Sequence, residues 1–459
     1  MTYLRKTMAA AVLGISVAQA AISQNLLTDL NPGDSVAPQD VSSQTSYGCS
    51  NLSGFHANAA VEGMAGVFYP VEPDLRNFHP FSDETVDLLA ELSAALQSMG
   101  TTLVYVPVPT KALAMPDFLP RKAMDFGFDP DLAATVYDDA VRRMRRAGIV
   151  AVNARKAIVM GGTGAELPYF KTDPKLTAYG SQLMAKAIAA EMQGTETFNV
   201  LPKGNFNSTP TGRVTIDSDV RRILQRFCMI DLPEAETQAY TSTRVAGAIV
   251  GAGESSLFGG GTLQNGRVAL VGTEFSAEEA VNLGGFISQY AGLEVSQYAV
   301  PDGGPFAAIS TYLTSRAFQQ SRPAFLVWEN PIQNNLAKWG DQPMRELIAA
   351  AGNACRVPVP VLPTTDPNRV RADLSTLDPG ANFTLSVDAS GGEASMAKFH
   401  FASGTGLVRT RSIYRNADQV ATGRFFMPVT GIWAEGAQSV EIELDRAFGG
   451  QATVTACYF

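Results

Sequence analysis

The sequence predicts an α/β unit with a parallel sheet and flanking helices, followed by a C-terminal β-sandwich. Three observations carry this. From Asn51 to Trp328, amphipathic helices alternate with short apolar strands, the pattern of a parallel sheet covered on both faces. From Pro358 onward the helical period disappears, and strand-like segments follow at short intervals between Gly and Asp clusters. The 459 residues, 46% apolar and 17% charged, suffice for two cores and are too apolar for a disordered chain.

Taken in order, Ser82 caps a helix over residues 83–99, where Val86, Leu88, Leu89, Leu92, Ala95 and Leu96 keep helical spacing and Gly100 ends the run. Residues 101–108 read as a buried strand. Residues 130–147 read as a second helix, with Arg142, Arg143, Arg145 and Arg146 near its end, where the dipole favours cations. A strand at 149–153 and a helix at 177–192 follow. The polar segment 194–218 reads as a loop or insertion. Strands at 267–271, 294–299 and 324–328 are separated by helices at 277–290 and 305–315. Residues 358–368 read as a linker or loop with little helical periodicity. The tail strands fall at 383–387, 397–401, 407–414, 424–429, 440–444 and 452–458.

Ahead of these elements, Arg5 and Lys6 precede an apolar run from Met8 to Val17, and Ala18-Gln19-Ala20 supplies a small-x-small cleavage site. Residues 1–20 therefore read as a signal peptide, too short to span a bilayer. The expectation is an exported chain with no integral membrane segment. The net charge of −9, with no basic stripe, argues against a nucleic-acid partner. Three His residues give no basis for a metal site, and no cofactor motif is present. Export makes two disulfides the expectation for Cys49, Cys228, Cys355 and Cys457, none of which has CxxC spacing. Three pairings are possible; in a two-domain chain, Cys49–Cys228 and Cys355–Cys457 keep each bond within one domain.

Ligands of open α/β sheets bind beyond the carboxyl ends of the strands. Four segments occupy such positions: Pro107-Val108-Pro109-Thr110-Lys111; residues 169–180, with Asp173-Pro174-Lys175-Leu176-Thr177; Gly272-Thr273-Glu274-Phe275-Ser276; and Trp328-Glu329-Asn330-Pro331. The third resembles the Gly-Thr-Ser nucleophile turn of the AlgX/AlgJ family of SGNH hydrolase-like acetyltransferases, which act in alginate O-acetylation. The second resembles that family's Asp-x-His-Trp-Thr-x-x-Gly segment, the source of its acid and base. Val61-Glu62-Gly63, Asp302-Gly303-Gly304 and Tyr312-Leu313 match in the same order. The resemblance covers residues 45–335. The β-rich tail and a Cys355–Cys457 pairing are similar to the AlgX branch, which carries a carbohydrate-binding module there.

What the resemblance implies is an SGNH-like domain over residues 45–340, a carbohydrate-binding-like sandwich over 355–459, and a periplasmic role in making alginate or a related acidic exopolysaccharide, beside other biosynthesis proteins. The departures redirect it. Glu274 stands at the nucleophile position and Lys175 at the base position; only Asp173 of the triad remains. A Ser mechanism needs a hydroxyl beside an imidazole that Asp orients. Lys, with an ordinary pKa of about 10.4, is a poor substitute near carboxylates, and Glu attack would give an anhydride. The expectation is a degenerate site in which Glu274, Lys175 and Asp173 form an ion-pair cluster, in a chain that guides polymer without acetylating it. An active acetyltransferase with another nucleophile and a non-enzymatic scaffold are the alternatives. Ser276 reads as an N-cap; His56 and His79 read as loop hydrogen-bonders, and His400 as facing solvent or sugar. In the tail, Trp433 is the candidate sugar-stacking ring, and Arg409, Arg411, Arg415 and Arg424 are candidate partners for uronate carboxylates.

Overall fold

The computed structural model describes residues 45–52, 60–79, 81–161, 166–245, 267–352, 354–378, 381–391, 393–429, 431–432 and 436–458. The signal-peptide reading of residues 1–20, His56 and Trp433 lie outside the described residues. Strands are numbered in chain order. A short antiparallel pair, β1 (Ala60–Glu62) and β2 (Phe68–Pro70), comes first. Then follow β3 (Thr102–Val108), β4 (Val150–Ala151), the antiparallel hairpin of β5 (Phe206–Ile216) and β6 (Ala235–Arg244), β7 (Arg267–Gly272), β8 (Glu294–Ala299) and β9 (Phe325–Pro331).

The central sheet has the order β4-β3-β9-β7-β8, and every neighbouring pair is parallel. Its inner strands β3 and β9 are buried at every residue, as near-continuous apolar runs must be when helices cover both faces. The helices used below are α1 (Asp83–Gln97), α2 (Pro130–Arg146), α3 (Ala178–Gln193), α4 (Leu283–Ala291), α5 (Ala307–Thr314) and α6 (Gln342–Ala351). Their starts follow local chemistry: the hydroxyls of Ser82 and Thr177 accept from Thr85 and Gly180 N–H, and Asp129 caps α2 ahead of Pro130.

Three readings need correction. Residues 194–218 are a short helix, Glu196–Val200, and strand β5, not a loop. β5 is exposed along most of its length, so it carries no apolar alternation to betray it. The helix expected at 277–290 is broken: a short turn of helix at Glu274–Ala277, a 3-10 turn at Glu279–Val281, then α4. The break falls at Asn282, which is left-handed at φ 52°. Residues 358–368 are not a bare linker, because β10 (Cys355–Pro358) and β11 (Val361–Pro363) lie at their start.

The tail continues with β12 (Arg369–Asp373), β13 (Phe383–Asp388), β14 (Met396–Ala402), β15 (Val408–Tyr414), β16 (Arg424–Pro428), β17 (Ser439–Leu444) and β18 (Thr453–Tyr458). They form two antiparallel sheets, β10-β18-β13-β16 and β11-β12-β17-β14-β15. β14 alternates strictly, with Ala397, Phe399 and Phe401 buried. The two layers of the molecule share apolar packing: Phe426 of β16 and Cys457 of β18 belong to the core of the α/β region. Disulfides join Cys49 to Cys228 and Cys355 to Cys457.

Candidate functional site

β9 lies between β3 and β7, so the carboxyl ends of these three strands converge. β3 delivers Lys111, β9 delivers Glu329 and Asn330, and β7 delivers Gly272-Thr273-Glu274. Glu329, at 0% exposure, is the centre of this edge. One carboxylate oxygen accepts from Thr273 N–H at 2.8 Å and from the Ser276 hydroxyl at 2.8 Å. The other accepts from the Thr273 hydroxyl at 2.9 Å. Burial raises this carboxyl to about 7, and the charge of Glu274 adds to the rise. Gly272 is required beside it, since a Cβ there would stand 2.2 Å from Glu329 Oε2.

Glu274 opens the short helical turn that follows β7 and is half-buried. Burial raises its carboxyl, with the charge of Asp302 adding to the rise; hydrogen bonds from the backbone of Glu274 and Asp302 and from the Thr273 side chain oppose it. The Thr273 hydroxyl has one proton and stands between two carboxyl groups. Asp302 takes a left-handed backbone, φ 56°, in the turn after β8 that brings its N–H to Glu274.

Asp173 is buried in the loop ahead of α3. Its Oδ1 accepts from Lys175 N–H at 2.8 Å and its Oδ2 from the Ser218 hydroxyl at 2.6 Å. The loop is held from below by Lys111, fully buried, whose ammonium donates to the carbonyls of Lys171 at 2.9 Å and Asp173 at 3.2 Å and lies 5.7 Å from the Tyr69 ring centre. Asp74 accepts from Lys111 N–H at 3.1 Å; burial pushes the Asp74 carboxyl up and the Lys111 ammonium down.

The expected ion-pair cluster is not formed: among the described residues no ion pair within 4.0 Å joins Lys175 to Glu274 or to Asp173. Lys175 meets Asp173 through its backbone, and the two carboxylates are satisfied by neutral donors. Ser276 is not an N-cap; Thr273 occupies that position, and the buried Ser276 hydroxyl serves Glu329. Sequence reasoning gave no role to Glu329, Lys111, Asp74 or Ser218. A signal for the first two was present: a charge set directly in or after a fully apolar strand must be buried and therefore partnered.

The tail arginines are occupied. In the register of β14 with β15, Arg411 faces Phe399 and Arg409 faces Phe401, which places both arginines on the core side of an edge strand. There they reach across to the other sheet, donating to the carbonyls of Pro428 (2.8 Å, from Arg411) and Ile432 (from Arg409). Arg424 pairs with Asp388 at 2.7 Å and donates to Thr314 O at 3.3 Å. Arg415 pairs with Glu346. His400 sits on the outer face, 2.9 Å from the Thr410 hydroxyl, beside Glu443. Burial and Arg76 push His79 down to about 4, which keeps it neutral. Among the described residues no group of three His, Cys, Asp or Glu is placed to hold a metal ion, and no helix is long and apolar enough to cross a membrane.

Comparison with known proteins fits this geometry. Residues 61–332, more than half of the chain, match the family model described as an SGNH hydrolase-like domain, acetyltransferase AlgX. An alginate biosynthesis protein AlgX from Pseudomonas syringae pv. tomato is 27% identical over 325 residues, 71% of this chain and 64% of that protein. Its counterpart from Pseudomonas aeruginosa is 30% identical over 266 residues, 58% of this chain and 54% of that protein. The probable alginate O-acetylase AlgJ of P. aeruginosa is 27% identical over 276 residues, 58% of this chain and 68% of that protein. The matched part thus spans little more than half to two thirds of the two AlgX relatives. The solved structure of P. aeruginosa AlgX superposes with a TM-score of 0.71 at 24% identity, covering 88% of this chain and 95% of that one, which is a likeness of fold. With the family model matched from the strand ahead of the site to the end of β9, the chain belongs to the AlgX family of SGNH hydrolase-like acetyltransferase domains.

Proposed function

We propose that this chain is a periplasmic AlgX-like protein of alginate or related exopolysaccharide biosynthesis that binds and guides the polymer, and that its acetyl-transfer site is degenerate. The observation that carries the reading is Glu274 at the nucleophile position, a carboxyl group tied down by Thr273, Asp302 and its own backbone. Attack by a carboxylate on an acyl donor yields an anhydride, and among the described residues no imidazole is bonded to Asp173 to draw a proton from a hydroxyl. The flanking hydroxyls of Thr273 and Ser276 are buried and both donate to Glu329, which speaks against a displaced nucleophile. Two disulfides and the absence of free cysteine among the described residues support an oxidising compartment. Polymer contact is proposed for the sandwich, residues 355–459, with Trp433 as stacking ring, and for neighbouring proteins of the biosynthetic assembly.

The test is an acetyl-ester reporter assay on three proteins. The natural chain should hydrolyse the reporter no faster than Asp173→Ala, and turnover clearly above that control would overturn the reading. The double variant Glu274→Ser with Lys175→His should gain esterase activity, because Asp173 and the Gly272-Thr273 turn remain in place.

A further inference from the structure

The seam between the α/β layer and the sandwich holds a cavity of about 270 Å³, near the lower end of ligand clefts. It begins at Gly303, next to the Asp302 that touches Glu274, and runs to the edge strand β15. Two large rings line it and remain open to solvent: Trp339 is 57% exposed and Tyr414 64% exposed. Phe306 lines the same wall. Between them stand the side-chain amides of Gln342 and Asn416, which make no hydrogen bond among the described residues.

The charges on the lining cancel. Arg415 and Glu346 are the charged residues of the wall, and they pair with each other, 2.5 and 3.0 Å apart at their two contacts, with side chains 6% and 3% exposed. A cleft for a uronate strand would offer unpaired cations. This one offers flat apolar faces with amides between them, which match the C–H faces and hydroxyls of sugar rings. The two rings are too exposed to stabilise the fold much, so their burial is left for a ligand.

We propose that this cleft is a binding site for an uncharged glycan segment, with Trp339 and Tyr414 as stacking platforms and Gln342 and Asn416 as hydroxyl partners. The proposal rests on the polymer-guiding reading and narrows it to a related exopolysaccharide that carries neutral sugars where it passes Glu274, since alginate itself has only uronate rings. The consequence is binding that ignores salt, since no ion pair forms across the interface.

The experiment uses the full exported chain, with cellohexaose and a mannan hexamer as neutral probes and a mannuronate hexamer as the charged one, titrated at low and high salt. At least one neutral hexamer should bind, with affinity unchanged across the salt range, and Trp339→Ala and Tyr414→Ala should each weaken it by about threefold to tenfold. Both side chains are solvent-exposed, so the variants should keep the circular dichroism of the natural chain. Neutral binding that survives both substitutions, or a cleft that takes the mannuronate hexamer alone and loses it in Trp339→Ala, overturns the proposal. Mannuronate binding untouched by either substitution removes the cleft and leaves the polymer-guiding reading standing. No binding of any hexamer removes both.

Discussion

Glu329 has no solvent exposure and three hydrogen-bond donors, yet its carboxyl is raised to about 7. Desolvation therefore outweighs the donors, and Glu274 nearby pushes the same way. Below the ordinary value of 4.5 both folded and unfolded chains hold the proton. Between 4.5 and about 7 the folded chain keeps a proton that the unfolded chain has released, so stability falls as pH rises through that window. The contribution is up to about 3 kcal/mol, taking 1.36 kcal/mol per pKa unit. Asp74, also raised by burial, adds loss of the same sign. The measurement is therefore a difference: urea melts of the natural chain and of Glu329→Gln, each at about pH 5 and pH 7.5. The natural chain should lose more stability over that interval than the variant, whose amide does not titrate; equal slopes would refute the assignment.

At the scale of elements, the turn after β7 owes its tightness to Gly272. A methyl group there would stand 2.2 Å from Glu329 Oε2 and 2.6 Å from the Ser276 hydroxyl, so the whole turn must shift or the carboxyl must leave. Gly272→Ala should cost about 1–3 kcal/mol in a urea melt, and Gly304→Ala, where nothing lies within 4 Å but φ is +68°, should cost about 1 kcal/mol. The same contrast of space and direction explains what the chain reveals by itself. The inner strands β3 and β9 could be read because burial on both faces demands unbroken apolar runs. The turn at Gly272-Thr273-Glu274 and the loop at Asp173 could be read from their motifs. Strand β5 could not, because it packs almost nothing and so leaves no period. The Glu274–Lys175 pairing failed because opposite charges in two neighbouring loops say nothing about where the side chains point. Arg409 and Arg411 looked like a basic patch, but the period of two in β15, set by Phe399 and Phe401 opposite, turns them toward the sandwich edge.

At the scale of the whole molecule, the question is what holds the sandwich on the α/β layer. Apolar contact contributes, since Phe426 joins the α/β core and α6 lies against both α1 and β16. Polar contacts line the rest of the seam: Thr314 with Thr422 at 2.9 Å, Gln419 with the Ala307 carbonyl at 2.8 Å, and Arg424 with Asp388 and Thr314. The Arg415–Glu346 pair is the most buried ion pair among the described residues, and Glu346 also lies 3.4 Å from Phe426 N–H. A buried pair of this kind contributes little by itself, because both charges were desolvated to make it, but removing one partner strands the other. Arg415→Met should therefore destabilise the chain by about 3–5 kcal/mol, and Glu346→Leu by a similar amount. The double variant Arg415→Met with Glu346→Leu replaces both charges by apolar groups and should cost less than either single change. Urea melts of the four proteins close the cycle. Costs that simply add would mean that the two charges are solvated independently, and the seam would then rest on its apolar contacts; a double variant more stable than both singles would show that the sandwich is fixed in place by a charge pair whose value lies in its being complete.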